Sequence, residues 1–277
     1  MVSVYVQKNN GERELFDASK LKHSLMKAGV SVVAADEIIA QIEAELIEGT
    51  LTSDIYKKAF RLIHKQDKKP AARYALRRSL MTLGPTGFPF EKFLAHIFTR
   101  KGYKTMVGTM VRGKCVEHEI DVIAYNDTSV LVMEAKFHNT IGVKTDTKVA
   151  LYVKARFDDI QHEKIMLNDG SYRVPTQGIL VTNTDFTDTA EKYAGCYNMG
   201  MISWDYPATG NLYDLIEETK AFPITVMTTL TTPQKSELVA KGIVCCDQLL
   251  QASPLLEHIV QNPTKVDKIL KEVTMII

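Results

Sequence analysis

The sequence predicts an α/β chain of three segments: a mostly helical one with a β-hairpin (1–84), a central mixed sheet flanked by helices (85–222), and an all-α tail (223–277). Three observations carry this. Residues 120–125 and 129–135 are apolar, β-branched runs on either side of Asn126-Asp127, which reads as a hairpin central in a sheet. Residues 178–182, 188–198 and 201–204 alternate strand, helix and strand, a βαβ unit. Beyond Thr231 no strand pattern recurs. The breaker-rich stretches Gly84-Pro85-Thr86-Gly87-Phe88-Pro89 and Ala221-Phe222-Pro223 mark the boundaries, and 277 residues at about 150 per domain allow this division.

In chain order, Val2, Val4 and Val6 alternate before Asn10-Gly11 and Leu15-Phe16, a hairpin signal, and after Asp17 the pattern becomes helical. Charge is uneven here. Asp36, Glu37, Glu43, Glu45 and Glu48 are followed by nine cations beside one acid, Asp67, between Lys57 and Arg78. A helix over 90–101 ends at Gly102 as its C′ residue, and a helical stretch over 144–166 precedes the βαβ unit. In that unit Asp188 and Glu191 stand at capping-box spacing. The tail alternates short helices with the breakers Gly242, Pro254 and Pro263.

Composition excludes several classes. An apolar fraction of 45% with 24% charged residues is that of a chain able to bury a core, so disordered and collagen-like classes are ruled out. Net charge is +1, so any polyanion site is local. Cys115, Cys196, Cys245 and Cys246 contain no CxxC and no histidine at ligand spacing, which predicts reduced thiols. No apolar run reaches the length needed to span a bilayer, and Gln7-Lys8-Asn9-Asn10 interrupts the start too early for a signal peptide. The expectation is a cytoplasmic protein with no membrane partner.

The chemistry concentrates at Asp121 and Glu134-Ala135-Lys136. Alternation sends Glu134 and Lys136 to one face, and the partner strand can bring Asp121 opposite them. Two carboxylates at the edge of an apolar sheet do not stay ionised together without a cation, and Mg²⁺ with its hard oxygen ligands suits them. Acids at strand ends paired with lysines are the plainer alternative. On the following helix Lys148, Tyr152 and Arg156 recur every four residues, a stripe that reads either as a phosphate track or as an exposed amphipathic face.

The order of Phe90-Glu91-Lys92-Phe93, Glu119-Ile120-Asp121-Val122-Ile123 and Val132-Met133-Glu134-Ala135-Lys136-Phe137-His138 resembles the PD-(D/E)XK nuclease superfamily, closest to its Mrr-like, restriction-endonuclease-like branch. The resemblance implies that Asp121 and Glu134 are metal ligands with the backbone carbonyl of Ala135. It also implies that Lys136 is the catalytic lysine, Glu91 an accessory acid, and Mg²⁺ or Mn²⁺ the cofactor. Lys8-Asn9-Asn10-Gly11, Glu14, Phe16-Asp17, Lys20-Leu21, Thr52-Ser53-Asp54-Ile55-Tyr56 and Ala71-Ala72-Arg73-Tyr74 resemble the ATP-cone, a nucleotide-sensing domain. That resemblance implies a site for ATP or dATP as effector at Lys8, Asn9, Glu14, Asp17, Lys20, Thr52 and Tyr56. The chain contains no P-loop, so ATP hydrolysis is not expected.

The stretch 230–244 is similar to a helix-hairpin-helix DNA-binding module, in which a turn at Gly242 would meet a phosphate through backbone N–H groups. A helical packing or dimerisation domain is the alternative for this tail. Together these features lead to an ATP- or dATP-regulated, metal-dependent DNA endonuclease, a homodimer if it cuts both strands. The rival readings are a nucleotide-responsive DNA-binding regulator with an inactive nuclease fold, and an assembly protein driven by the cone.

Overall fold

The computed structural model describes residues 4–8 and 10–277, in two compact units: one holds the chain up to Leu76 together with Thr274–Ile276, the other Arg77–Val273 and Ile277. In the first, β1 (Tyr5–Gln7) and β2 (Arg13–Leu15) form the antiparallel hairpin expected from alternation; Val2 of that expectation lies outside the described residues. The helices α1 (Ala18–Lys27), α2 (Val32–Glu43) and α3 (Thr52–Gln66) follow, and α4 (Lys68–Met81) begins. Asp17 caps α1 by accepting from the amides of Ser19 and Lys20, and Ser31 caps α2 through the amide of Ala34. Their apolar faces meet in one core of Leu25, Ile38, Ile42, Ala59 and Ile63.

The second unit is an α/β sandwich. After α5 (Phe88–Arg100) come β3 (Lys104–Arg112), β4 (Glu117–Tyr125), β5 (Val130–Lys136) and the short β6 (Lys144–Thr145). Next are α6 (Thr147–Ile160), the small hairpin β7 (Ile165–Met166) and β8 (Tyr172–Arg173), and β9 (Gln177–Thr182). Last come β10 (Asp185–Phe186), α7 (Asp188–Cys196), β11 (Gly200–Ile202) and α8 (Leu212–Thr219). The central sheet has the order β11-β9-β5-β4-β3: β3, β4 and β5 are an antiparallel meander, while β9 and β11 run parallel to β5. This is the mixed, helix-flanked sheet that the hairpin and the βαβ unit imply. Helix α5 packs on β3 and β4, and α6 on β9 and α7.

Three expectations are corrected. Strand β3 was not foreseen. The helix after Lys144 starts at Thr147, capped by Asp146, and stops at Ile160, where the chain turns into the β7–β8 hairpin. Helix α7 is capped one residue earlier than expected: the Thr187 hydroxyl accepts from Ala190, and Asp188 and Glu191 occupy the first turn, where their charge favours the helix N-terminus. Trp204 is buried against Tyr213, and Arg77, which donates twice to Asp185 (2.6 and 2.7 Å), lies over its ring.

The tail is all-helical: α9 (Thr232–Ala240), α10 (Ser253–Val260) and α11 (Pro263–Ile276), with two short 3₁₀ turns. Cys245 and Cys246 are buried and reduced, and Cys115 and Cys196 are free and exposed. Glu272 of α11 is 1% exposed, and its two oxygens accept from the amides and hydroxyls of Thr228 and Thr229. Those bonds hold its carboxyl below the usual range despite burial. Glu272→Ala removes the carboxylate that accepts from the part-buried Thr228 and Thr229 amides, and urea denaturation is expected to show a loss of about 1–3 kcal/mol. An unchanged midpoint would mean that water replaces the carboxylate there.

Candidate active site

The β4–β5 hairpin sets the site. Register pairs Val122 with Met133 and Ile123 with Val132, so the next pair brings Asp121 beside Glu134. The Ala135 amide donates to Asp121 Oδ2 at 2.7 Å, which fixes that carboxylate at the hairpin edge. Helix α5 adds Glu91: Phe90 packs on Phe137 with ring centroids 5.7 Å apart, which holds the first turn of α5 against the end of β5. Gly87, the N-cap of α5, leaves room beside Glu91, whose Oε1 lies 3.6 Å from where a Cβ would stand.

Burial and mutual repulsion raise the acids. Glu91 is pushed up to about 7 by burial first, then by Asp121, Glu119 and Glu134. Glu134 is likewise pushed up to about 7 by burial and by Asp121, against the opposing pull of Arg156 and Lys136. Asp121 is raised as well, burial outweighing the Ala135 hydrogen bond. Lys136, paired in register with Thr182, ends β5 exposed, and among the described residues its side chain makes no hydrogen bond or ion pair. The site is thus a knot of carboxylates with an unengaged ammonium at its rim.

Two neighbours complete it. Arg156 of α6 forms an ion pair with Glu134 and donates to the Glu119 carbonyl. It is 9% exposed, which corrects its place in a phosphate-tracking stripe: it serves the carboxylates, and only Lys148 and Tyr152 of that stripe remain exposed. Glu119, exposed two residues before Asp121, acts electrostatically on Glu91, Asp121 and Glu134. Only its closeness to Asp121 in sequence could have pointed to it, and no sequence signal marked Arg156 as its partner. His138 is taken up structurally: its amide donates to Asn183 Oδ1 (2.8 Å) and its ring meets the Thr145 hydroxyl (3.0 Å).

In the first unit, Gln7 forms a parallel bridge with Leu51, which sets Lys8 beside the start of α3 at Thr52. Helix α3 has no side-chain cap, so no side chain takes the amides at its start, as an anion site would need. Glu14 lies 3.4 Å from Lys8 and 3.7 Å from Lys20, gathering both lysines at the hairpin. These pairs are exposed and cost little to exchange for a phosphate. Tyr56, one turn into α3, stacks on Tyr74 at 5.0 Å. Asp17 caps α1 through Oδ1, which accepts from the Ser19 and Lys20 amides; Asn9 lies outside the described residues. In the tail, the Gly242 amide donates to Val239 to close α9, so it is not offered to a phosphate.

Among the described residues no helix is long and apolar enough to cross a membrane. Family models match three successive stretches: the ATP cone domain at 4–79, a restriction endonuclease domain at 84–208, and an AF1548-like C-terminal domain at 222–277. An uncharacterized protein of Archaeoglobus fulgidus is 35% identical over 159 residues, 57% of this chain and 84% of that one. The crystal structure of a protein of unknown function, AF1548, aligns with a TM-score of 0.55 and 32% identity over 68% of this chain and 97% of that one. The MspJI restriction endonuclease in complex with a 27-mer oligonucleotide aligns at a TM-score of 0.31 with 14% identity, over 64% of this chain and 40% of that one. An ATP-cone is thus fused here to a restriction-endonuclease-like domain, and with its Archaeoglobus relative the chain belongs to the AF1548-like family.

Proposed function

We propose that the chain is a Mg²⁺- or Mn²⁺-dependent endodeoxyribonuclease whose activity responds to ATP or dATP, and that it acts as a homodimer in the cytoplasm. The observation that carries the reading is the convergence of Asp121, Glu134 and Glu91 beside the unengaged Lys136, with Glu91 and Glu134 pushed up to about 7. Such a donor set fits a hard divalent cation, because one cation offsets both the burial and the mutual repulsion that raise these acids. Asp121, Glu134 and the carbonyl of Ala135 would hold it. When bound, Mg²⁺ would supply charge stabilisation at the phosphodiester and lower the pKa of a water.

The chain's own residues divide the remaining work. The Ala135 amide orients Asp121, and Arg156 orients Glu134. Lys136 presents its ammonium to a phosphate oxygen or to the attacking water, and Glu91 holds a proton near neutrality, suited to exchange with that water. In the cone, Lys8, Lys20 and the start of α3 take the triphosphate, with Tyr56 beside it; Glu14 releases the lysines.

The test is nicking of supercoiled plasmid with Mg²⁺, Mn²⁺ or EDTA, each with and without ATP or dATP. Metal-dependent nicking whose rate shifts with nucleotide is the expected result, and Lys8→Ala is expected to abolish the shift while leaving nicking itself unchanged. The guanidinium on Glu134 favours the rival reading, a DNA-binding regulator, because an arginine can neutralise the acid in place of a metal. Bound DNA that no metal causes to be cut would decide for that rival.

A further inference from the structure

The β3–β4 ribbon continues past the carboxylates as an arm. We propose that it grips duplex DNA, its tip delivering Arg112 and Lys114 to backbone phosphates beside the cleavage site. This rests on the nuclease reading above and adds to it a specific surface for the substrate.

Beyond Gly108, where φ is +57°, the strands stay paired as Met110 with Glu119, Val111 with His118, and Arg112 with Glu117. The ribbon's faces differ. Val111 is 4% exposed and packs in the core with Ile120 and Ile160, whereas Met110 is 61% exposed and Arg112 stands on its outward side.

The tip is held from beneath by one residue at the end of α6. Asp159 accepts from the amides of Cys115 (2.9 Å) and Val116 (3.3 Å) and from His118 Nε2 (2.8 Å), and its carbonyl accepts from the Lys114 amide (2.8 Å). These bonds hold the Asp159 carboxyl well below its ordinary range. Gly113 passes so close that a Cβ there would lie 2.2 Å from Asp159 Oδ2. The tip's backbone is therefore fixed inward while the side chains of Arg112 and Lys114 are exposed.

Those side chains are unengaged. Among the described residues neither Arg112 nor Lys114 forms an ion pair or a side-chain hydrogen bond, although Glu117 faces Arg112 in register. Two cations on a rigid two-stranded ribbon match what a DNA groove and its phosphates accept. The placement is also suitable. Glu119 borders the carboxylate knot, and Glu117, the partner of Arg112, lies four residues from Asp121 along β4. That is about 13 Å, or roughly four base-pair steps. The arm would hold the duplex just beyond the scissile phosphate.

The experiment measures fluorescence anisotropy of a short labelled duplex on the full chain, with Ca²⁺ in place of Mg²⁺, across a salt titration. Arg112→Ala with Lys114→Ala is expected to weaken binding about ten-fold or more and to flatten the log–log salt slope by about two. Melting temperature and ATP binding should be unchanged, and Arg112→Lys with Lys114→Arg should restore both affinity and slope. Wild-type binding that the double alanine variant reproduces in affinity and slope overturns the arm alone. A wild-type chain that binds no duplex overturns the arm together with the reading it rests on.

Discussion

Asp121→Asn is expected to lower metal-dependent nicking by about three orders of magnitude while leaving the fold as stable as before, or more so. A catalytic metal contributes several kcal/mol to the transition state, and each 1.36 kcal/mol is about a factor of ten in rate. Stability moves the other way for a local reason. Burial raises the Asp121 carboxyl, so its charged form is disfavoured in the fold, and the neutral amide removes that cost. The Asn side-chain oxygen can still accept from the Ala135 amide, the bond that fixes the hairpin edge. Nicking rate and thermal melting, taken on the same preparation at pH 8, separate this from simple damage. A variant that loses both together is unfolding, and one that keeps its rate removes Asp121 from the chemistry.

What the sequence could disclose about this site follows from how each residue is positioned. Asp121, Glu134 and Lys136 were legible because a strand's period of two and an antiparallel register are local rules, and the hairpin around Asn126-Asp127 obeys them. Glu91 was placed by resemblance, and the packing of Phe90 on Phe137 supplies the physical cause. Arg156 was misread because a spacing of four residues is the same for a solvent stripe and for an arginine turned under a sheet. Only the position of Glu134 on another element distinguishes them. Strand β3 escaped notice since its outward residues, Lys104, Met110 and Arg112, face water at the sheet edge and Gly108 breaks its alternation. The helix expected over 144–166 was overlong because His162, Glu163 and Lys164 are acceptable in a helix. What ends it is the pairing of Ile165 with Arg173 and of Met166 with Tyr172 across the turn at Gly170, where φ is +79°.

The second large effect concerns pH and metal together. Glu91 and Glu134 titrate near 4.5 in an unfolded chain and are pushed up to about 7 in the fold. Between those values the folded chain binds more protons than the unfolded one, so stability must fall as pH rises from about 4.5 to 7 and then level off. Both groups keep some contact with water, which reduces the effect to the order of 2–3 kcal/mol in all. For the restriction-endonuclease-like unit this is a drop in melting temperature of roughly 5–10 °C from pH 5 to pH 8. On the proposed reading Mg²⁺ or Mn²⁺ binds the ionised acids, so added metal is expected to recover most of that drop at pH 8 and to change little at pH 5, where the ligands hold protons. Glu134→Gln should flatten the pH dependence and remove the metal effect. Arg156 gives the sharper discrimination, since it already pairs with Glu134. If the guanidinium is the acid's permanent counter-ion, melting will be insensitive to metal at both pH values. If it only holds Glu134 in place for a cation, Arg156→Met will steepen the pH dependence and leave the metal's stabilising effect in place.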